Sequence, residues 1–497
     1  MSIRITGMNS GLDTDAMVKD LVNAYDKKKQ VMKGDQKRLS WKQDAWKDLN
    51  TKIKNFVSKS LSNMRFSSAY TKKKTEVSDS TIASVVSSDG AVNGKQTLKV
   101  TGLAQSGYLT GSALTATGGA KVTNSTKLSE LGYPAAGSGT VTLTKGTSAE
   151  PITIDVTGDM TVGQFVSTVK AAGLNANFDE NNGRMYISAV DTGTANDFSF
   201  SGDSSALTAL GLTGGTSHKE VASDATIVLN GVTYTNNSNT FSINGLTITA
   251  KALTQGDSFV SLTTSSDYDA VYDSIKNFIK EYSSLVNQMD KLYNAESADK
   301  YKMLTQEEKE AMSEDEVEEW ENKIKSALLR RDDTLSNLTG TLRSAMLETY
   351  DINGKTYSLS SFGINTLSYF LAADNEKNAY HIDGDPDDPD TSGEADKLRA
   401  AIASDPDTVM KFFQNLTDNM YNKMSKLSTT NNYRSYGNYY EDKKLKSEYD
   451  DWSKKITDYE DYVAKIEDRY YKQFTRMEKV MGQMQSQQNY ISQMMGG

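Results

Sequence analysis

Hydrophobic and polar positions follow distinct rhythms along this 497-residue chain. Toward the C-terminus, alternating steps of four and three residues run from Tyr449 through Trp452, Ile456, Tyr459, Val463, Ile466, Tyr470, Gln473, Met477, Val480, Met484, Gln487 and Ile491 to Met494. Twelve of these fourteen positions are apolar or aromatic, so the spacing predicts one long helix with a heptad seam. Near the N-terminus the same steps join Val18, Leu21, Tyr25, Lys28, Met32, Asp35, Leu39, Lys42, Trp46, Leu49, Ile53 and Phe56. This seam is good after Trp46 and broken by charges before it. Asp13 or Thr14 can cap the helix, with Asp15 and Asp20 near the positive end of its dipole. Each seam lacks a partner nearby in sequence, and each is the obvious partner of the other.

Between about 76 and 266 the rhythm shortens to strand alternation in a Ser/Thr/Gly-rich background, as in "KQTLKV" at 95–100, "PITIDV" at 151–156, "RMYIS" at 184–188, "ATIVLNGVTYT" at 225–235 and "FSINGLTITA" at 241–250. Asn182-Gly183, Asn230-Gly231 and Asn244-Gly245 sit where two-residue hairpin turns need positive φ, and two small β domains are expected. Helical rhythm resumes with Val271, Ile275, Phe278, Ile279, Tyr282, Leu285 and Met289 on one face. Capping boxes at Thr305/Glu308 and Ser313/Glu316 precede Val317, Trp320, Ile324 and Leu328. "SLSSFGINTLSYFL" with "AYHID" reads as a small sheet, and Asp405-Pro406 starts a further helix. Residues 269–430 therefore form a helix-dominated domain, which the helix around 41–66 is expected to join.

Composition narrows the class. The chain is too long for one core, so about three or four domains are expected. Mean hydropathy is −0.57, and no stretch approaches the roughly 18–20 consecutive apolar residues of a membrane span. The opening "MSIRITGMNSGLDTDAM" lacks the apolar core of a secretory signal, so the protein is expected to be cytoplasmic or to leave by a route that reads no such signal. Cysteine is absent, which removes disulfides, thiolate nucleophiles and cysteine zinc sites. The net charge of −10 is uneven: residues 1–74 hold seventeen Lys and Arg against seven Asp, about +10, leaving about −20 elsewhere. The lysines are spread around a helix and no nucleic-acid motif accompanies them, which favours a solvated face or pairing with acidic protein surfaces over nucleic-acid binding.

Material for catalysis is scarce. His218 and His381 are the only histidines and read as surface residues. "NGKT" at 353–356 ends like a phosphate loop, but Thr349 stands where the motif requires Gly, so it reads as a hairpin turn. "DGDPDDPD" at 383–390 carries two prolines and lacks the terminal Glu of a calcium loop, and reads as a solvated acidic turn. The carboxylates of "SEDEVEEWE" read as a solvent face. No enzyme, metal or cofactor reading rises above background.

Several blocks in order resemble the flagellar hook-associated protein 2 family, the flagellar filament caps: "GMNSGLDTDAMVKDLVNAY" at 7–25, "WKQDAWKDLNTKIKNF" at 41–56, "YKMLTQEEKEAMSEDEVEEWENKIKSALLRRDDTLSNL" at 301–338, "LSSFGINT" at 359–366 and "RYYKQFTRMEKVMGQMQSQQNYISQM" at 469–494. The middle, 105–225, carries little of the resemblance. The resemblance implies a non-enzymatic assembly factor of motile bacteria that leaves through the flagellar type III export channel, served by an export chaperone and the export apparatus. It implies a homo-oligomeric ring, a pentamer, at the extracellular filament tip, where incoming flagellin folds and inserts, with no nucleic acid and no membrane insertion. The expected fold class is multidomain α + β, with terminal coiled-coil helices and a helical bundle into which antiparallel β domains are inserted. The expected parts are 1–40 with 431–497 as a coiled-coil leg, 41–75 with 269–430 as the helix-dominated domain, 76–110 with 222–268 as a β domain, and 111–221 as a variable inserted β domain. The seam residues are then assembly contacts. The rival reading is an extracellular adhesin or another flagellar junction protein between hook and filament.

Overall fold

The computed structural model describes residues 11–146 and 150–496. Ten α-helices are present among them: α1 (Thr14–Asn55), α2 (Val162–Ala171), α3 (Ser204–Ala209), α4 (Tyr268–Tyr293), α5 (Gln306–Glu310), α6 (Glu314–Ser326), α7 (Asp333–Met346), α8 (Lys397–Ser404), α9 (Pro406–Leu427) and α10 (Asp442–Met495). The chain divides into two compact units, one made of residues up to 70 with those from 268 onward, the other of residues 71–267. The multidomain α + β class expected from the sequence is the one observed.

In the helical unit, α1 is capped by Asp13, whose side chain accepts from the Ala16 N–H. At Phe56–Leu61 the helix widens into a π-turn, which lets the adjacent residues Phe56 and Val57 both reach the core. Trp46, Leu49, Ile53 and Phe56 pack with the apolar face of α4, with Leu335, Leu338 and Leu342 of α7, and with Phe412, Phe413 and Leu416 of α9. Phe56 stacks on Phe278 at 5.9 Å. The capping boxes at Thr305 and Ser313 and the Asp405 cap ahead of Pro406 all form, because each needs only residues within one turn. On the expected face after Ile324, Leu329 is buried in place of Leu328, since α6 ends at Ser326 and helical spacing no longer holds.

The β unit holds two cores. One lies between a five-stranded antiparallel sheet (in order 73–77, 260–266, 94–102, 225–229, 232–236) and a three-stranded sheet (240–243, 246–250, 83–87), and includes Leu98, Ile227, Phe241, Ile248 and Leu262. The other spans residues 109–212, with Phe165 and Val169 of α2 against Val141, Val156 and Met185. Asn230-Gly231 and Asn244-Gly245 make the expected two-residue turns, with φ of 50° and 83°, and 46° and 78°. Asn182-Gly183 does not. The strands end at Asp179 and resume at Arg184, and the Asp179 carboxylate accepts the Asn181 and Asn182 N–H groups to build a four-residue loop in which Gly183 alone has positive φ.

Two polar expectations are corrected. His218 is exposed beside Glu220, as expected, but His381 is largely buried, with Nδ1 2.6 Å from Asp388. The stretch at 383–390 is not simply solvated: Asp385 is buried and receives the Lys276 ammonium at 2.6 Å, because α4 passes beside this loop. The Asn353-Gly354 hairpin forms as expected.

Candidate functional site: the paired terminal helices

α1 and α10 lie antiparallel. Gln36, Gln43 and Asn50 recur every seven residues on α1 and form a ladder of side-chain amides along this pairing. Gln36 Nε2 donates to Ser453 Oγ (2.6 Å) and Gln43 Nε2 to the Leu445 carbonyl (2.9 Å). Asn50 Nδ2 donates to Asn438 Oδ1 (3.1 Å), while Asn50 Oδ1 accepts the Tyr439 backbone N–H (2.9 Å). Polar side chains at regular seam positions set register, since a slip leaves each of them unpaired. Toward the N-terminal end of α1, the Lys33 ammonium lies 2.6 Å from Glu460 and holds that carboxyl below the usual glutamate range. Tyr25 meets Tyr462 edge-on, and Val18 and Val22 cluster with Val463 and Tyr471. At the other end Trp46 stacks flat on Tyr440 at 5.5 Å.

The seam residues expected from spacing divide into three groups. Val18, Trp46, Leu49, Ile53, Phe56, Ile456, Val463 and Ile466 are buried. Tyr25, Met32, Leu39, Tyr449, Trp452, Tyr459, Tyr470 and Met477 are half-buried. Leu21 is 44% exposed, and Val480, Met484, Ile491 and Met494 are 52%, 65%, 56% and 69% exposed. Leu21 is displaced because the second row of α1 runs through Val22, Lys29, Gln36, Gln43 and Asn50, one residue later than the row that includes Leu21. A hydrophobic count passes over three amides, although their heptad spacing was a usable signal. On α10 the buried face reaches Tyr471 and Glu478 instead of Tyr470 and Met477. Ile456 and Glu478 are both buried two steps of eleven residues apart, which is the repeat of a nearly straight helix and not of a left-handed supercoil.

An Asn50→Leu variant tests the ladder. It removes the acceptor for the buried Tyr439 N–H, a loss of about 1–3 kcal/mol. Tyr439 amide exchange should accelerate by roughly 5–150-fold, and unchanged exchange would show that the amide carries no weight.

Elsewhere among the described residues, His381, Asp388 and Asp390 place donor atoms within 4.8 Å of one another, but Nδ1 of the histidine is already engaged by Asp388.

Against known proteins, a family model for the C-terminal part of flagellar hook-associated protein 2 matches residues 222–486, and one for its N-terminal part matches residues 10–107. The chain belongs to the flagellar hook-associated protein 2 family. The flagellar hook-associated protein 2 of Halalkalibacterium halodurans is 25% identical over 559 aligned residues, covering 99% of each chain. An A-type flagellar hook-associated protein 2 of Pseudomonas aeruginosa is 25% identical over 329 residues, 59% of this chain and 63% of the relative. The crystal structure of the D1-D2-D3 domains of the flagellar cap protein FliD from Escherichia coli shares the fold, with a TM-score of 0.50 at 22% identity over 78% of this chain and 98% of that one. Hook-associated protein 2 members are structural, flagellum-associated proteins. Both family models reach into the helical unit, while residues 108–221 lie outside them.

Proposed function

We propose that this hook-associated protein 2 is a non-enzymatic cap at the distal, extracellular end of the bacterial flagellar filament, where it promotes folding and insertion of flagellin and prevents subunit loss. The observation that carries this reading is the far end of α10. Beyond Glu478 one face of the helix presents Val480, Met484, Ile491 and Met494 exposed, and no charged side chain follows Lys479. An uncharged apolar stripe of this kind is suited to cover by another protein. In this reading 1–40 with 431–497 form a leg that touches flagellin, and 41–75 with 269–430 hold a closed ring of identical copies, a pentamer by family resemblance. Residues 76–110 with 222–268, and the insert 111–221, form the plate. The chain travels through the flagellar export apparatus with an export chaperone. Amides of 480–495 should exchange rapidly in the free protein and be protected in filament-bound protein; strong protection in both states refutes the docking role.

A further inference from the structure

α1 carries a second stripe on the face turned away from α10, and every member of it meets a residue between 303 and 325. Lys27, Gln30, Gly34, Lys37 and Trp41 follow one another in steps of three and four. Lys27 pairs with Glu307 (3.8 Å), and Gln30 Oε1 accepts the Gln306 N–H (3.3 Å). Lys37 pairs with Glu321 (3.9 Å), and the Lys325 ammonium lies 4.8 Å from the Trp41 ring centre. Gly34 is the least expected member, because glycine is among the poorest residues for a helix interior. A Cβ at this position would lie 2.9 Å from Met303 Cβ, so the missing side chain is what admits Met303.

The segment that meets this stripe is held together internally. Tyr301 packs edge-on against Trp320 at 4.9 Å, the Trp320 indole N–H donates to the Lys302 carbonyl, and Lys309 bonds Glu321 at 2.6 Å. Burial pushes the Glu321 carboxyl up, but Lys309, Lys37 and Lys325 more than offset this and hold it below the usual glutamate range. Yet from Lys291 to Lys323 no residue is buried. Residues 294–323 carry eleven acidic and four basic side chains, whereas residues 27–42 of α1 carry seven basic and one acidic. A segment docked through opposite charge, with no buried core of its own, opens at low free energy.

We infer that residues 294–323 are an ionic strap, seated on the Lys27–Lys37 face of α1, that detaches as a unit while α1 stays paired with α10. The strap goes beyond the cap reading and stands or falls without it. Release frees the back of α1 N-terminal to Trp46, where the helix enters the helical core, so strap occupancy sets how firmly the N-terminal helix is clamped.

Gly34→Leu tests this in the full chain. Residue 34 faces the strap and not α10, and leucine favours the helix, so α1 and α10 should keep their amide protection. Exchange and protease cleavage within 301–323 should rise about tenfold or more. Glu321→Lys, which sets a like charge against Lys309, Lys37 and Lys325, should act likewise, and ~1 M salt should open the strap in the natural protein by screening its ion pairs. Unchanged protection of 301–323 in Gly34→Leu and in high salt overturns the inference. So does loss of protection in α4 and α7 together with the strap, because that makes the segment part of the global fold.

Discussion

Cells lacking this chain are expected to export flagellin monomer into the medium and to carry no filaments, because subunits would escape before insertion. Truncating residues 481–497 should reproduce much of that defect without unfolding the protein. The removed part of α10 contributes no buried side chain to the single chain among the described residues. It does carry Met484, Ile491 and Met494, each able to release about 1.5–3 kcal/mol on full burial against a partner. Losing three such contacts exceeds by several-fold the roughly 1.4 kcal/mol that changes an affinity tenfold. Replacing the insert 111–221 should be milder. An adhesin predicts the reverse order, with normal filaments after the truncation and lost attachment after the insert swap. Electron microscopy of filaments and an immunoblot of shed flagellin separate the two, and normal filaments in a clean deletion strain reject the cap.

The second large effect is on stability, and it contrasts two tryptophans that the seam rhythm treats alike. Trp46 is buried in the helical core and stacked on Tyr440, so Trp46→Ala should cost about 3–5 kcal/mol. At a urea dependence of roughly 1–3 kcal/mol/M, the midpoint of the helical unit should fall by about 1–5 M. Trp452 is half-buried on α10, and the Lys455 ammonium lies 5.2 Å from its ring centre at the surface. Trp452→Ala should cost less than half as much. Equal shifts would mean that burial in the folded chain is a poor guide to this pair.

Much of the architecture is legible in the sequence. Capping boxes, the Asp405-Pro406 start and the Asn-Gly turns at 230 and 244 all formed, because each depends on groups within a few residues of one another. The same holds for the α4 face and for the recognition that both chain ends carry long helices. Asn182-Gly183 failed for an equally local reason, since Asp179 captured the neighbouring N–H groups and built a longer loop.

Which faces are covered was left to the tertiary structure. Spacing alone could not choose between the row through Leu21 and the row through Val22, because the deciding contacts are amides whose acceptors, Ser453 and Asn438, lie hundreds of residues away. It could not show that burial on α10 drifts from Tyr470 to Tyr471, since a straight and a supercoiled helix differ by only about 20° per heptad. Nor could it give a purpose to Gly34, or bury Asp385 and His381, until Met303, Lys276 and Asp388 stood beside them. The sequence by itself determined the elements, the chain-end pairing and the family. The covered face of each helix, and the segment that clamps α1, were decided by long-range register, which hydrophobic periodicity does not encode.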